Sequence, residues 1–217
     1  MVVLCPGFPD KKYREILFIK EPNELMEKWE GHKLTKKEAT EISGIETVVW
    51  VSGFEKLFHH MMTMGGVSQV YLNTNEHYRS EVMVQSRDAR FIEWCKNTYP
   101  LHRYERIAPI MGELRRVKQF REIELIQKAC DITECGFRRV LNYLRPGVME
   151  YELEAEFIHE FKRLGSKGFA YTPIIAAGEN NVILHYVENS RQCHSGDLVL
   201  LDVAAEYANY NSDLTRT

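Results

Sequence analysis

The chain has 217 residues, 44% hydrophobic and 27% charged, with a formal net charge of −3. These values fit one large or two modest globular domains and argue against nucleic-acid binding, which needs a net basic surface. No apolar run approaches the ~18 residues of a membrane span, and the opening MVVLCPGFPDKK lacks the basic start and long apolar core of a signal peptide. Five cysteines without a CxxC pair (Cys5, Cys95, Cys130, Cys135 and Cys193) predict free thiols in a reducing, cytoplasmic setting.

In chain order, Val2–Leu4 predicts a strand, followed by turn chemistry at Pro6-Gly7 and Pro9-Asp10. Glu15–Ile19 predicts a second strand, and Pro22 opens a short helix through Trp29. Thr35 with Glu38 three residues later forms a capping box for a helix over 36–42, which Gly44 ends. A strand at 47–51, a helix at Phe54–Met64 stopped by Gly65-Gly66, a strand at 67–72 and a helix at 86–99 closed by Pro100 complete this half. Strands alternating with helices imply an open, mainly parallel sheet. His59 and His60 are adjacent on a helix and point in different directions, so they read as surface residues.

Composition changes near Pro109 and Gly112, which divides the chain into expected domains 1–110 and 111–217. Val117, Phe120, Ile123, Phe137, Val140 and Leu144 then recur at helical spacing until Arg145-Pro146-Gly147. Cys130 and Cys135 fall in this stretch as expected small core residues. A second helix runs through Leu153, Phe157, Phe161 and Leu164 to Gly165. Its cap position holds Met149, which offers no side-chain acceptor, while Glu150, Glu152 and Glu154 compensate through the helix dipole. Strands at 169–177 and 182–186 lead to the closing segment LVLLDVAAEYANYNSDLTRT.

That segment holds Asp202 and Asp213, eleven residues apart. Its apolar run over 198–207, the polar Ala208-Asn209 step and the run over 210–217 predict a β-hairpin. The odd spacing puts both aspartates on one face, expected directly opposite each other. Like charges so placed destabilise a sheet. Either a hard divalent cation or a shared proton relieves the repulsion. Two aspartates at strand ends are also commonly just solvated; here Asp202 follows Leu198-Val199-Leu200-Leu201, and Asp213 shares its parity with Thr215 and Thr217.

The stretch ILHYVENSRQCHSGDLVLLDVAAEYANYNSDLTRT resembles the active-site core of the Xaa-Pro aminopeptidases (aminopeptidase P) of the pita-bread metallopeptidases. LFIKEPNELMEKWEGHKLTKKEATEISGI is similar to the creatinase/prolidase-type N-terminal domain of those enzymes. RVKQFREIELIQKACDIT and LRPGVMEYELEAEF match the first two helices of the catalytic domain. The fold implied is an α/β N-terminal domain followed by the first half of an α+β pita-bread catalytic domain.

The resemblance implies metal-dependent hydrolysis of the bond before proline, on peptides with proline second, by a homo-oligomer (dimer or tetramer). It implies two divalent ions, manganese in this branch. Asp202 matches a ligand to one ion and Asp213 the aspartate bridging both. His185 matches a catalytic histidine that steadies the tetrahedral intermediate. Tyr171 falls where a family tyrosine approaches the metal centre, and Trp29 aligns with a tryptophan offered to a neighbouring subunit's substrate. A histidine and two glutamates completing the family's ligand set follow the TRT motif, where this chain stops, so little activity is expected of these 217 residues alone. A dipeptide-restricted prolidase and a non-catalytic pita-bread binding protein are the alternative readings.

Overall fold

A computed structural model of the chain describes residues 1–64, 66–76 and 84–217. Two compact units make it up, Met1–Leu114 and Arg115–Thr217. All five cysteines are free.

The first unit runs β1 (Val2–Leu4), β2 (Glu15–Ile19), α1 (Glu24–Glu30), α2 (Lys36–Ser43), β3 (Thr47–Trp50), α3 (Phe54–Met64), β4 (Gln69–Leu72), α4 (Arg87–Thr98), β5 (Arg103–Arg106) and α5 (Ala108–Arg116). β2 lies antiparallel to β1 and parallel to β3, while β4 and β5 form a separate parallel pair. Along β2, Ile16 and Phe18 are buried at a period of two. They share a core with Phe54, Phe58, Met61 and Met62, the inward face of α3 at helical spacing. The capping box of α2 forms as its sequence dictates. Glu38 accepts from the Thr35 backbone N–H at 2.7 Å, Thr35 Oγ1 accepts from the Glu38 N–H at 3.3 Å, and Gly44 ends the helix at φ 74°.

β5 and α5 carry no clear local signal. RYER has three charged residues in four, and β5 is held instead by pairing with β4 and by Tyr104, whose hydroxyl donates to the carbonyls of Cys95 and Tyr99 at 2.8 Å each. α5 accepts Pro109 because first-turn N–H groups need no helical partner.

The second unit runs α6 (Phe120–Tyr143), α7 (Glu150–Arg163), β6 (Gly168–Phe169), β7 (Ile174–Ala177), a 3₁₀ turn at Gly178–Val182, β8 (Val199–Asp202), β9 (Ala205–Tyr207), β10 (Tyr210–Asn211) and β11 (Thr215–Arg216). β8 lies between β11 and β7, and β9 between β10 and β6. Ile132, Phe137 and Val140 of α6 share one core with Leu153, Phe157 and Phe161 of α7 and with Ile175, Leu201 and Val203. Gly136 permits the close approach of the helices: a Cβ there would lie 2.6 Å from Phe161 Cε1 and 3.0 Å from Phe157 Cδ1.

Two expectations are corrected here. The segment 182–186 is not a strand. Gly178–Val182 is a 3₁₀ turn, and Val182 and Leu184 are 86% and 89% exposed with no alternation of burial. Asn181 drives this by donating its side-chain amide to the carbonyls of Gly178 and Leu198 at 2.8 Å each, a local bonding pattern that competes with strand pairing. Cys130 is exposed and Cys135 only half-buried; the buried face of α6 falls on Ala129, Ile132, Thr133, Gly136, Phe137 and Val140, while Cys95 and Cys193 are the buried thiols.

Candidate metal centre

The closing hairpin turns at Ala208 and Asn209, both at positive φ (50° and 66°), as a two-residue loop with primed twist requires. Tyr207 pairs with Tyr210 and Glu206 with Asn211. The same register continues to the other end, where Asp202 pairs with Thr215. Asp202 therefore faces Thr215 and not Asp213, which corrects the expected direct opposition. Opposing the two aspartates would pair Tyr207 with Ala208 and leave no loop. Asp213 instead occupies a diagonal position two residues nearer the turn, sharing a face with Asp202.

The stretch around Asp213 is outside the named strands but keeps the ladder. The Val203 N–H donates to the Leu214 carbonyl at 3.1 Å, and the Ser212 N–H donates to the Ala205 carbonyl at 3.2 Å. α6 clamps this part of the hairpin. Thr133 Oγ1 lies 2.7 Å from Ser212 Oγ and accepts from the Ala205 N–H at 2.9 Å, with both hydroxyl-bearing residues buried. Near the turn, Tyr210 donates to Glu122 Oε1 at 2.9 Å.

Tyr171 lies in a bend between β6 and β7. Phe169 pairs with Ala205 and Ile174 with Asp202, so five steps on one strand oppose three on the other. That bulge re-aims the intervening side chains. The Tyr171 hydroxyl ends 2.6 Å from Asp202 Oδ1 and 3.0 Å from Asp213 Oδ1. Burial, then the two carboxylates, push the phenol well above its ordinary value of 10.0, so it remains a donor.

His185 sits exposed in the irregular segment after the 3₁₀ turn. With Tyr171, Asp202 and Asp213 it lines an open cleft of about 500 Å³, to which Ile174 and Val187 add apolar wall. Trp29 is on α1 in the first unit and is 82% exposed. Sequence reasoning missed Ile174, Val187 and the Thr133–Ser212 clamp. The clamp residues stand 79 positions apart and carry no local signal of their pairing.

Among the described residues no group of three or more His, Cys, Asp or Glu is arranged to hold a metal ion. The donors present are two carboxylates whose oxygens converge on one hydroxyl. That oxygen-only set fits a hard divalent cation, while supplying fewer than the roughly six oxygens such ions take.

The model of Metallopeptidase family M24 matches residues 124–217, and that of the aminopeptidase P N-terminal domain matches residues 1–71. The Xaa-Pro aminopeptidase of Escherichia coli K12 is 32% identical over 210 residues, which are 96% of this chain and 47% of that protein. A Xaa-Pro dipeptidase of Pyrococcus horikoshii is 27% identical over 177 residues, 82% of this chain and 47% of that protein. The solved structure of Pseudomonas aeruginosa aminopeptidase PepP superposes with a TM-score of 0.85 at 26% identity, covering 99% of this chain and 48% of that one. The chain thus spans about half the length of the curated relatives it matches. The expected architecture, an α/β N-terminal domain and part of a pita-bread domain, agrees with both matches. Residues 124–217 are thus similar to metallopeptidase family M24, and residues 1–71 to the aminopeptidase P N-terminal domain.

Proposed function

We propose that this protein is a metal-dependent aminopeptidase that releases the residue preceding a proline at the start of a peptide. The observation that carries this reading is the convergence of Asp202 and Asp213 on the Tyr171 hydroxyl in a cleft shared with His185. Asp202 and Asp213 would hold divalent ions, manganese in this proposal. When bound, such ions lower the pKa of a coordinated water and polarise a carbonyl.

The remaining chemistry belongs to the protein's own side chains. Asp202 and Asp213 fix negative charge at one end of the cleft, and Tyr171 orients both carboxylates through its shared hydroxyl. His185, exposed to an incoming peptide, is proposed to hydrogen-bond the scissile carbonyl and steady charge as it develops there. Ile174 and Val187 offer an apolar surface to the peptide's side chains. Trp29 is proposed to meet substrate bound by a neighbouring subunit of a homo-oligomer. With two carboxylates as the donors found among the described residues, these residues by themselves are proposed to be weakly active at most.

The likeness to a relative named Xaa-Pro dipeptidase supports a second reading, in which only dipeptides are cleaved. The protein expressed from its full reading frame, supplied with manganese, separates the two. Release of the first residue from an Ala-Pro-Ala tripeptide, abolished by Asp213→Asn, supports the aminopeptidase. Cleavage confined to Ala-Pro moves the assignment to the dipeptidase. Absence of metal-dependent hydrolysis of both peptides overturns the reading.

A further inference from the structure

Glu150, the first residue of α7, has a fully buried side chain at 0% exposure. Its Oε1 accepts from the Ala177 N–H at 2.7 Å and from Asn180 Nδ2 at 3.2 Å. Its Oε2 accepts from the Tyr186 hydroxyl at 2.7 Å and from the Arg191 N–H at 2.8 Å. Its own backbone N–H donates to the Arg191 carbonyl at 2.9 Å. The nearby Arg191 guanidinium is directed elsewhere, pairing with Asp197 at 2.6 Å. A buried carboxylate is costly unless its acceptor sites are filled. Here the donors come from the end of β7, from the 3₁₀ turn, and from Tyr186 and Arg191, which follow His185 in the chain.

That segment has little apolar anchorage of its own. Val182 and Leu184 are almost fully exposed, and the first buried residue after them is Tyr186, next to His185. The Tyr186 hydroxyl both donates to Glu150 and accepts from the Ser190 N–H at 3.1 Å. Asn189, buried and at φ 44°, adds a second tie. It accepts from the Ile175 N–H at 3.1 Å and donates to Glu154 of α7 at 2.9 Å. The first turn of α7 thus organises the loop beside the cleft.

We propose that Glu150 is a positioning residue that acts through Tyr186 to hold the His185 imidazole at the cleft. Its catalytic meaning rests on the role proposed above for His185; the positional claim does not. An amide at Glu150 can still accept from Ala177 and Asn180 but turns donor hydrogens towards Tyr186 and Arg191. Tyr186→Phe keeps the buried ring and removes only the hydroxyl.

The test compares wild type, Glu150→Gln and Tyr186→Phe by amide hydrogen exchange and by the His185 ring signal in isotope-labelled protein. Exchange should rise at least tenfold at Ser190 in Tyr186→Phe and at Arg191 in Glu150→Gln, whose N–H groups bond to the altered side chains, and both variants should shift or broaden the His185 ring signal. Exchange around Phe137 in α6 should stay at the wild-type rate. If Glu150→Gln does not fold, Tyr186→Phe carries the test alone. An unchanged His185 signal and loop exchange in Tyr186→Phe, or a rise equally large in α6, overturns the proposal. Failure of the peptidase reading would leave these outcomes untouched, so the two can fail separately.

Discussion

The hydroxyl of Tyr171 stands 2.6 Å from Asp202 Oδ1 and 3.0 Å from Asp213 Oδ1. One phenol carries one proton, so it serves two carboxylates that the hairpin brings to a single face. The bulge between β6 and β7 supplies the donor, and the two-residue turn at Ala208-Asn209 sets the diagonal from which both aspartates reach it.

Tyr171→Phe removes that shared donor and leaves the carboxylates apposed. A hydrogen bond to a charged group contributes about 1.5–3 kcal/mol; solvent at the open cleft reduces this to about 1 kcal/mol. Urea unfolding of the metal-free variant should show a loss of that order, narrowed by millimolar manganese. A wild-type midpoint without metal contradicts the expectation.

Gly136→Ala places a methyl group against the rings of Phe157 and Phe161 at distances no relaxed contact allows. Overpacking at such a site costs about 1–3 kcal/mol, so the second unit should melt earlier despite alanine's better helix propensity. Calorimetry that finds Gly136→Ala as stable as wild type would mean the helices are less closely apposed.

Thr133→Val keeps side-chain shape but strands the buried Ala205 N–H, while the Ser212 hydroxyl keeps its bond to the Ala205 carbonyl at 3.1 Å. An unmet buried donor costs about 1–3 kcal/mol. Chemical denaturation should register this loss, and amide exchange at Ala205 and Ser212 should rise more than in α7. Uniform protection across the unit would contradict the clamp.

Glu38 has its carboxyl lowered from 4.5 to about 2, first by the Thr35 backbone N–H, then by the Thr35 hydroxyl and His32. A depressed carboxyl contributes stability that is present above its unfolded value and lost as pH falls through its folded one. Glu38→Gln should therefore flatten the acid limb of the first unit's stability between about pH 4.5 and 2. An unaltered acid limb would show that the capping box contributes nothing to it.

Much of the first unit is legible because local chemistry decides it: Thr35 with Glu38 at the start of α2, and Gly44 in the left-handed region at its end. β5 and the 3₁₀ turn at Gly178–Val182 are less so, since one depends on its partner strand and the other on Asn181 outcompeting a ladder. At the candidate site, parity puts Asp202 and Asp213 on one face, but their pairing follows from the turn. Once Ala208-Asn209 is a loop, Asp202 must meet Thr215. The Tyr171 bridge needs a bulge whose length sequence alone does not fix.

The most direct measurement is manganese-induced broadening of amide and side-chain signals in the labelled chain. If Asp202 and Asp213 hold a divalent cation, signals of Tyr171, Asp202 and Asp213 should fade first, with a dissociation constant on the order of 10⁻⁴–10⁻³ M. The Asp202→Asn, Asp213→Asn double variant should lose this selectivity. Broadening that spares the cleft, or that persists unchanged in the double variant, would contradict the metal-centre assignment.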